Sequence, residues 1–143
     1  MRAGRTLNLT DCRGLSSIAL RGILCESARE KNLKDLESLS LDSIGELDDP
    51  LIIDICLSLP KLSRLSIALC IGIGDSGIKG IAAGCGPRLT ELNLDEVTKV
   101  TDEGLLALSE SCTSLQAGTS RLQHLLMTSI ECSHFHRLTT QSL

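Results

Sequence analysis

Apolar residues recur along this chain in a short motif. Leu36, Leu39 and Leu41 stand as Leu-x-x-Leu-x-Leu; Leu62, Leu65 and Ile67 repeat the arrangement, and so do Leu89, Leu92 and Leu94. The middle positions, 39, 65 and 92, lie 26 and then 27 residues apart. Leu7 and Leu9 fit the same motif one longer unit earlier. Agreement continues beyond the motif. Counted from Leu41, Ile67 and Leu94, the sixth residue on is Leu47, Ile73 or Val100. The eleventh is Ile52, Ile78 or Leu105, and the fourteenth is Ile55, Ile81 or Leu108. The eighth is always aspartate (Asp49, Asp75, Asp102). The tenth is Leu51, Gly77 or Gly104, and the eighteenth is Leu59, Cys85 or Cys112.

These spacings predict a strand, a turn and a helix in each unit. Alternation in Leu-x-Leu puts both leucines on one face of a strand. The later apolar positions, three apart, share one face of a helix. The aspartate just before them suits an N-cap, its carboxylate accepting a backbone N–H. Glycine two residues later is expected to ease a tight turn into the helix. One unit cannot bury both of its faces, but stacked units can. Their strands then form a parallel sheet about 4.8 Å apart, with helices outside.

With the period go two stretches of specific type. Leu92-Asn93-Leu94 leads to Val100-Thr101-Asp102-Glu103-Gly104-Leu105, then Leu108 and Cys112-Thr113-Ser114-Leu115. Ile67 leads to Cys70, Gly74-Asp75-Ser76-Gly77-Ile78, Cys85 and Leu89. Both resemble the cysteine-containing leucine-rich repeat, over roughly residues 6–116. The resemblance implies an α/β leucine-rich-repeat solenoid: a short horseshoe with parallel strands on the concave face and helices on the convex face. That repeat type is typical of F-box proteins, the substrate receptors of cullin-based (SCF) ubiquitin ligases. It also occurs in the leucine-rich-repeat subunit of nucleotide excision repair. The resemblance therefore implies a protein partner, either a ubiquitination client or ligase subunits. No F-box-like helical segment stands before the repeats in these residues, so this stretch by itself is not expected to dock a ligase adaptor. A truncated or alternatively spliced fragment without independent function is the alternative expectation.

Both ends depart from the pattern. The first unit, Leu9 to Leu36, is longer and includes Arg29-Glu30-Lys31-Asn32. After Leu115 the period calls for leucine at 118, where Gly118 stands. Leu122, Leu125 and Met127 restore the pattern after a slip of seven residues. The repeat domain is therefore drawn at 1–127, with an irregular tail at 128–143.

Composition narrows the setting. Apolar residues make up 42% of the chain, yet only Phe135 is aromatic. Such a core is built from even-sized aliphatics and cysteine, which suits repeated layers. A net charge of -4, from 14 basic and 18 acidic residues, argues against direct binding of nucleic acid through phosphate contacts. No run approaches the roughly 18 apolar residues of a membrane-crossing helix, and no apolar run of a secretion signal follows Met1-Arg2-Ala3-Gly4-Arg5. The cysteines number seven, with no Cys-x-x-Cys. They fit free buried thiols in a reducing cytoplasm or nucleus better than a disulfide framework. The sequon Asn8-Leu9-Thr10 is then expected to stay unmodified.

No motif on the chain is expected to catalyse a reaction or hold a cofactor. Gly72-Ile73-Gly74-Asp75-Ser76-Gly77 matches a dinucleotide-binding loop, with Glu91 and Asp95 at a suitable distance. Yet Asp75 and Gly77 are already explained by their repeat counterparts Asp102 and Gly104. Cys132-Ser133-His134-Phe135-His136 is dense in metal-ligand types, but zinc wants four ligands at workable spacing. Cys12 and Cys70 share one place after their strands, and Cys85 and Cys112 share another at a helix end. All four are expected to fill core positions. Asp48-Asp49 reads as loop and N-cap, not as an acid–base couple.

A binding site is expected on the concave face, from residues alternating with the strand leucines. They are Thr6, Asn8 and Thr10; Ser38, Ser40 and Asp42; Arg64, Ser66 and Ala68; and Glu91, Asn93 and Asp95. The row is small and polar and becomes acidic toward its C-terminal end. A partner would bring its own anchors and basic groups near Glu91, Asp95 and Glu96.

Overall fold

A computed structural model of the chain describes residues 5–26, 33–115 and 117–118. Strands β1 (Thr6–Asn8), β2 (Ser38–Ser40), β3 (Arg64–Ser66), β4 (Glu91–Asn93) and β5 (Ala117–Gly118) form one parallel sheet in chain order. Helix α1 (Ser17–Arg21) passes into a π-helical turn, Gly22–Glu26. Helices α2 (Asp49–Ser58), α3 (Asp75–Cys85) and α4 (Asp102–Ser111) follow the next three strands. Each unit is thus strand, turn, helix.

Register puts like residues in rows. Leu7, Leu39, Leu65 and Leu92 are Cα partners across the sheet. The last described strand keeps the period: Ala117 pairs with Glu91 and Gly118 with Leu92. A parallel ladder is made by the backbone, so the strand extends even where its leucine is missing. Leu122, Leu125, Met127 and the tail at 128–143 lie outside the described residues.

Leu39, Leu65 and Leu92 are buried, as are the helix positions Ile52, Ile55, Ile78, Ile81, Leu105 and Leu108. They belong to one continuous core. Each such side chain contributes about 1.5–3 kcal/mol on leaving water. Among the described residues no polar or charged residue is buried.

The aspartates do not cap their own helices. The N-caps are Asp48, Gly74 and Thr101, one residue earlier; Asp49, Asp75 and Asp102 are the first helical residues. Asp48 accepts from the Leu51 N–H at 3.1 Å. Asp49 and Asp75 instead reach across to the next unit. Asp49 Oδ1 accepts from the Gly74 N–H at 2.8 Å. Asp75 Oδ1 accepts from the N–H groups of Thr101, at 2.8 Å, and Gly104, at 3.2 Å. The Thr101 hydroxyl donates to its other oxygen. Hydrogen bonds from Thr101 and Gly104 hold the Asp75 carboxyl below its ordinary pKa.

This clamp also corrects the reason for the glycines. A Cβ on Gly77 would lie 2.5 Å from Asp49 Oδ1, and one on Gly104 would lie 2.5 Å from Asp75 Oδ1. Glycine therefore stands where the previous unit's carboxylate needs room. The first junction obeys the same rule in reverse: its clamp position is Ser17, and the facing residue is Leu51.

A further regularity has no counterpart in the residue pattern. The second residue after the motif is Asp11, Ser43, Leu69 or Glu96, and all four have left-handed backbone, with φ of 60°, 62°, 62° and 58°. Three of these N–H groups continue the ladder into the turns. Asp11 donates to Asp42 O at 3.0 Å, Ser43 to Ala68 O at 2.8 Å and Leu69 to Asp95 O at 2.8 Å. Those inter-unit bonds hold a conformation that costs a non-glycine residue about 1–2 kcal/mol.

Candidate functional site

On the face of the sheet away from the core, two rows of side chains cross the strands. Thr6, Ser38, Arg64 and Glu91 form the first; Asn8, Ser40, Ser66 and Asn93 form the second. Thr6, Asn8, Arg64 and Glu91 are exposed, and Ser38, Ser40, Ser66 and Asn93 are half-buried. Neighbouring strands lie about 4.8 Å apart, so Arg64 and Glu91 set opposite charges side by side. The expected face therefore comes together as one surface.

The third expected set does not join it uniformly. Ala68 is buried, only 8% exposed, and is no contact residue. Asp42 is half-buried because its carboxylate serves the fold: Oδ1 accepts from the Ser66 hydroxyl at 2.6 Å and from the Ala68 N–H at 2.8 Å. Thr10 donates its N–H to Asn8 Oδ1, and Asp95 donates its N–H to Asn93 Oδ1, both at 2.9 Å. A part of this polar face is thus spent on turning the chain. Asp95 itself remains exposed.

The cysteines divide by whether a unit precedes theirs. Cys70 is buried, and its thiol donates to Leu41 O of the preceding unit at 3.1 Å. Burial raises its pKa. Cys12 occupies the same place in the first described unit and is exposed, against the expectation of a core thiol. Cys85 and Cys112 are buried as expected. Burial pushes the Cys112 thiol up to about 11, so it stays protonated and poorly nucleophilic at neutral pH. Buried Cys56 hydrogen-bonds Cys85 across the α2–α3 junction, which raises the Cys56 pKa well above the ordinary thiol value.

The glycine-rich loop at 72–77 is filled by its own fold. A Cβ on Gly72 would lie 2.6 Å from Leu47 O, and the Gly74 N–H is taken by Asp49. Both approaches are contacts with the preceding unit. The cluster Cys132 to His136 lies outside the described residues. No helix among the described residues is long and apolar enough to cross a membrane.

Besides the exposed helix residues Ile18 and Leu57, two exposed apolar side chains lie in a turn that the repeat pattern leaves unassigned. Leu69 and Ile71, in the turn after β3, are 52% and 61% exposed. A signal for them exists in the sequence. The matching places in the other units hold Asp11, Ser43 and Glu96, and Arg13, Gly45 and Thr98.

No family model matches the chain. Among solved structures it is similar to a chain in the crystal structure of the Rad7 and Elc1 complex in yeast. Identity is 25% and the TM-score 0.65, over 78% of this chain and 27% of that one. The chain therefore spans about a quarter of the neighbour's length. Likeness and topology together define a leucine-rich-repeat-like α/β fold, of a kind found within a protein–protein complex.

Proposed function

We propose that this chain is a protein-binding leucine-rich-repeat module, a short solenoid that recognises a client for an F-box-type ubiquitin-ligase receptor in the cytoplasm or nucleus. It acts by binding, without catalysis or cofactor. The observation that carries this reading is the similarity to a chain solved within a two-protein complex. The exposed row through Arg64 and Glu91 supplies a surface for a partner. A related reading, a repeat subunit of the nucleotide-excision-repair kind, rests on the resemblance of the repeats.

The test is quantitative affinity purification from cells, comparing the chain with a double charge reversal, Arg64→Glu and Glu91→Lys. Ligase subunits and a reproducible client set should be enriched with the parent chain, and the clients lost with the variant. Recovery of excision-repair factors instead would favour the second reading. A bound set identical to that of bare resin would sink both.

A further inference from the structure

We propose that the turns at the C-terminal ends of the strands form a docking rim. Leu69 and Ile71 are its anchors, and its occupant is an apolar segment of a partner protein flanked by lysine or arginine. This rests on the reading of the chain as a protein-binding module and says where and by what chemistry it binds.

Repetition supplies an internal control. The backbone at Leu69 is left-handed, with φ 62°, and so is that of Asp11, Ser43 and Glu96 at the same place. The turn therefore forms with short polar or acidic residues, which tolerate this conformation better or meet water better. Leucine is the least suited occupant, yet it is 52% exposed. Ile71 is 61% exposed where the other units carry Arg13, Gly45 and Thr98. Between the two, Cys70 turns inward and anchors to Leu41 O. Both apolar side chains are thus presented by a turn that is itself pinned, so little ordering cost attends contact. Neither belongs to the buried core.

Charge selects the occupant. The N–H of Leu69 is bonded to Asp95 O, which places Asp95 and Glu96 on one flank. Ser43 donates to Ala68 O, which places the turn of Ser43 and exposed Glu46 on the other. Glu46, Asp95 and Glu96 are exposed. Lys99 also lies in this stretch, its Cβ 3.8 Å from where a Cβ on Gly74 would stand. An apolar pair bracketed by carboxylates favours a segment whose apolar residues are bracketed by cations.

Fluorescence anisotropy with short labelled peptides on the full 143-residue chain tests this. The first probe carries adjacent leucines between lysine pairs. The second replaces lysine by glutamate, and the third replaces leucine by serine. The lysine–leucine probe should bind at least about tenfold tighter than either control, as an anchored contact requires. Combined Leu69→Asn and Ile71→Asn should abolish that preference, with circular dichroism unchanged. Glu96→Gln should weaken binding about threefold and flatten its salt dependence. Equal binding of the three probes would overturn the proposal, and so would full binding by the double variant. A dimer in light scattering that the double variant dissolves would make the occupant a second copy and overturn it too. If cellular clients survive the rim substitutions but are lost on reversing Arg64 and Glu91, the rim is wrong while client recognition stands.

Discussion

The later junctions of this protein carry a clamp that its first junction lacks, although inter-unit ion pairs cross all of them. Between the second and third units, and between the third and fourth, an aspartate at a helix start enters the next unit and a glycine makes room for it. At the first junction neither residue is present. Arg5 pairs with Glu37 there, and Arg21 with Asp54. The clamp is short, shape-specific and tied to backbone. Ion pairs between long, partly exposed side chains are looser, screened by salt and weak. The first unit is therefore the softer end of the described stack. Its exposed Cys12 and half-buried Leu7 agree with that, beside buried Cys70 and Leu65 in the same places further on.

Truncation along one row of the sheet should break this contrast most visibly. Leu65→Ala should cost about 2–5 kcal/mol, as a buried leucine does on leaving a cavity. Leu7→Ala should cost only about 1–2 kcal/mol, because less of its surface is buried. Urea unfolding of both variants measures the difference; equal losses would mean the first unit is as firmly packed as the third.

Next in size is the clamp itself. Gly77→Ala should cost about 1–3 kcal/mol, since its methyl group meets Asp49 Oδ1 as well as Ile52 and Ile73. In an Asp49→Ala background much of that penalty should disappear, a coupling of about 1–2 kcal/mol in a double-mutant cycle. Strict additivity would show that glycine serves only the turn.

A pH series sharpens the same point. The Asp75 carboxyl has its folded pKa lowered below the ordinary 3.8, chiefly by the Thr101 hydroxyl and N–H. Its stabilisation is therefore present above the ordinary value and is lost as pH falls through the lower folded value. Denaturation midpoints should fall between pH 5 and pH 3 more steeply for the parent than for Asp75→Asn. Parallel curves would remove Asp75 from the clamp.

Arg5→Ala at the first junction should cost about 0.2–1 kcal/mol, fading with added salt. An effect of similar size but opposite sign is a gain. Leu69→Asn should stabilise the chain by about 0.5–1 kcal/mol, because asparagine accepts left-handed backbone more readily. Stability rising while peptide binding falls would separate the needs of the fold from those of the rim.

Much of the fold was legible because stacking forces a period. A residue class that recurs every 26 or 27 positions must meet the same surroundings each time, so the core leucines and isoleucines could be named in advance. The polar strand rows followed from alternation. At the last described strand the backbone ladder holds the period at Gly118, whereas Leu122, Leu125 and Met127 lie outside the described residues. Leu69 and Ile71 escaped notice because periodicity is sought in buried residues, whereas theirs is an exception in exposed ones.

By itself, the sequence determined the repeating unit, its helix and strand faces and the aliphatic composition of the core. Those follow from local spacing and from the hydrophobic effect, which needs no knowledge of partners. Only the tertiary structure decided what Asp49 and Asp75 hold, why Gly77 and Gly104 are glycines, and which cysteine of a matched pair is covered. A period says what kind of residue stands at a place, not which unit it serves. That is settled by the stacking distance, which brings a carboxylate of one unit within hydrogen-bond reach of the backbone of the next.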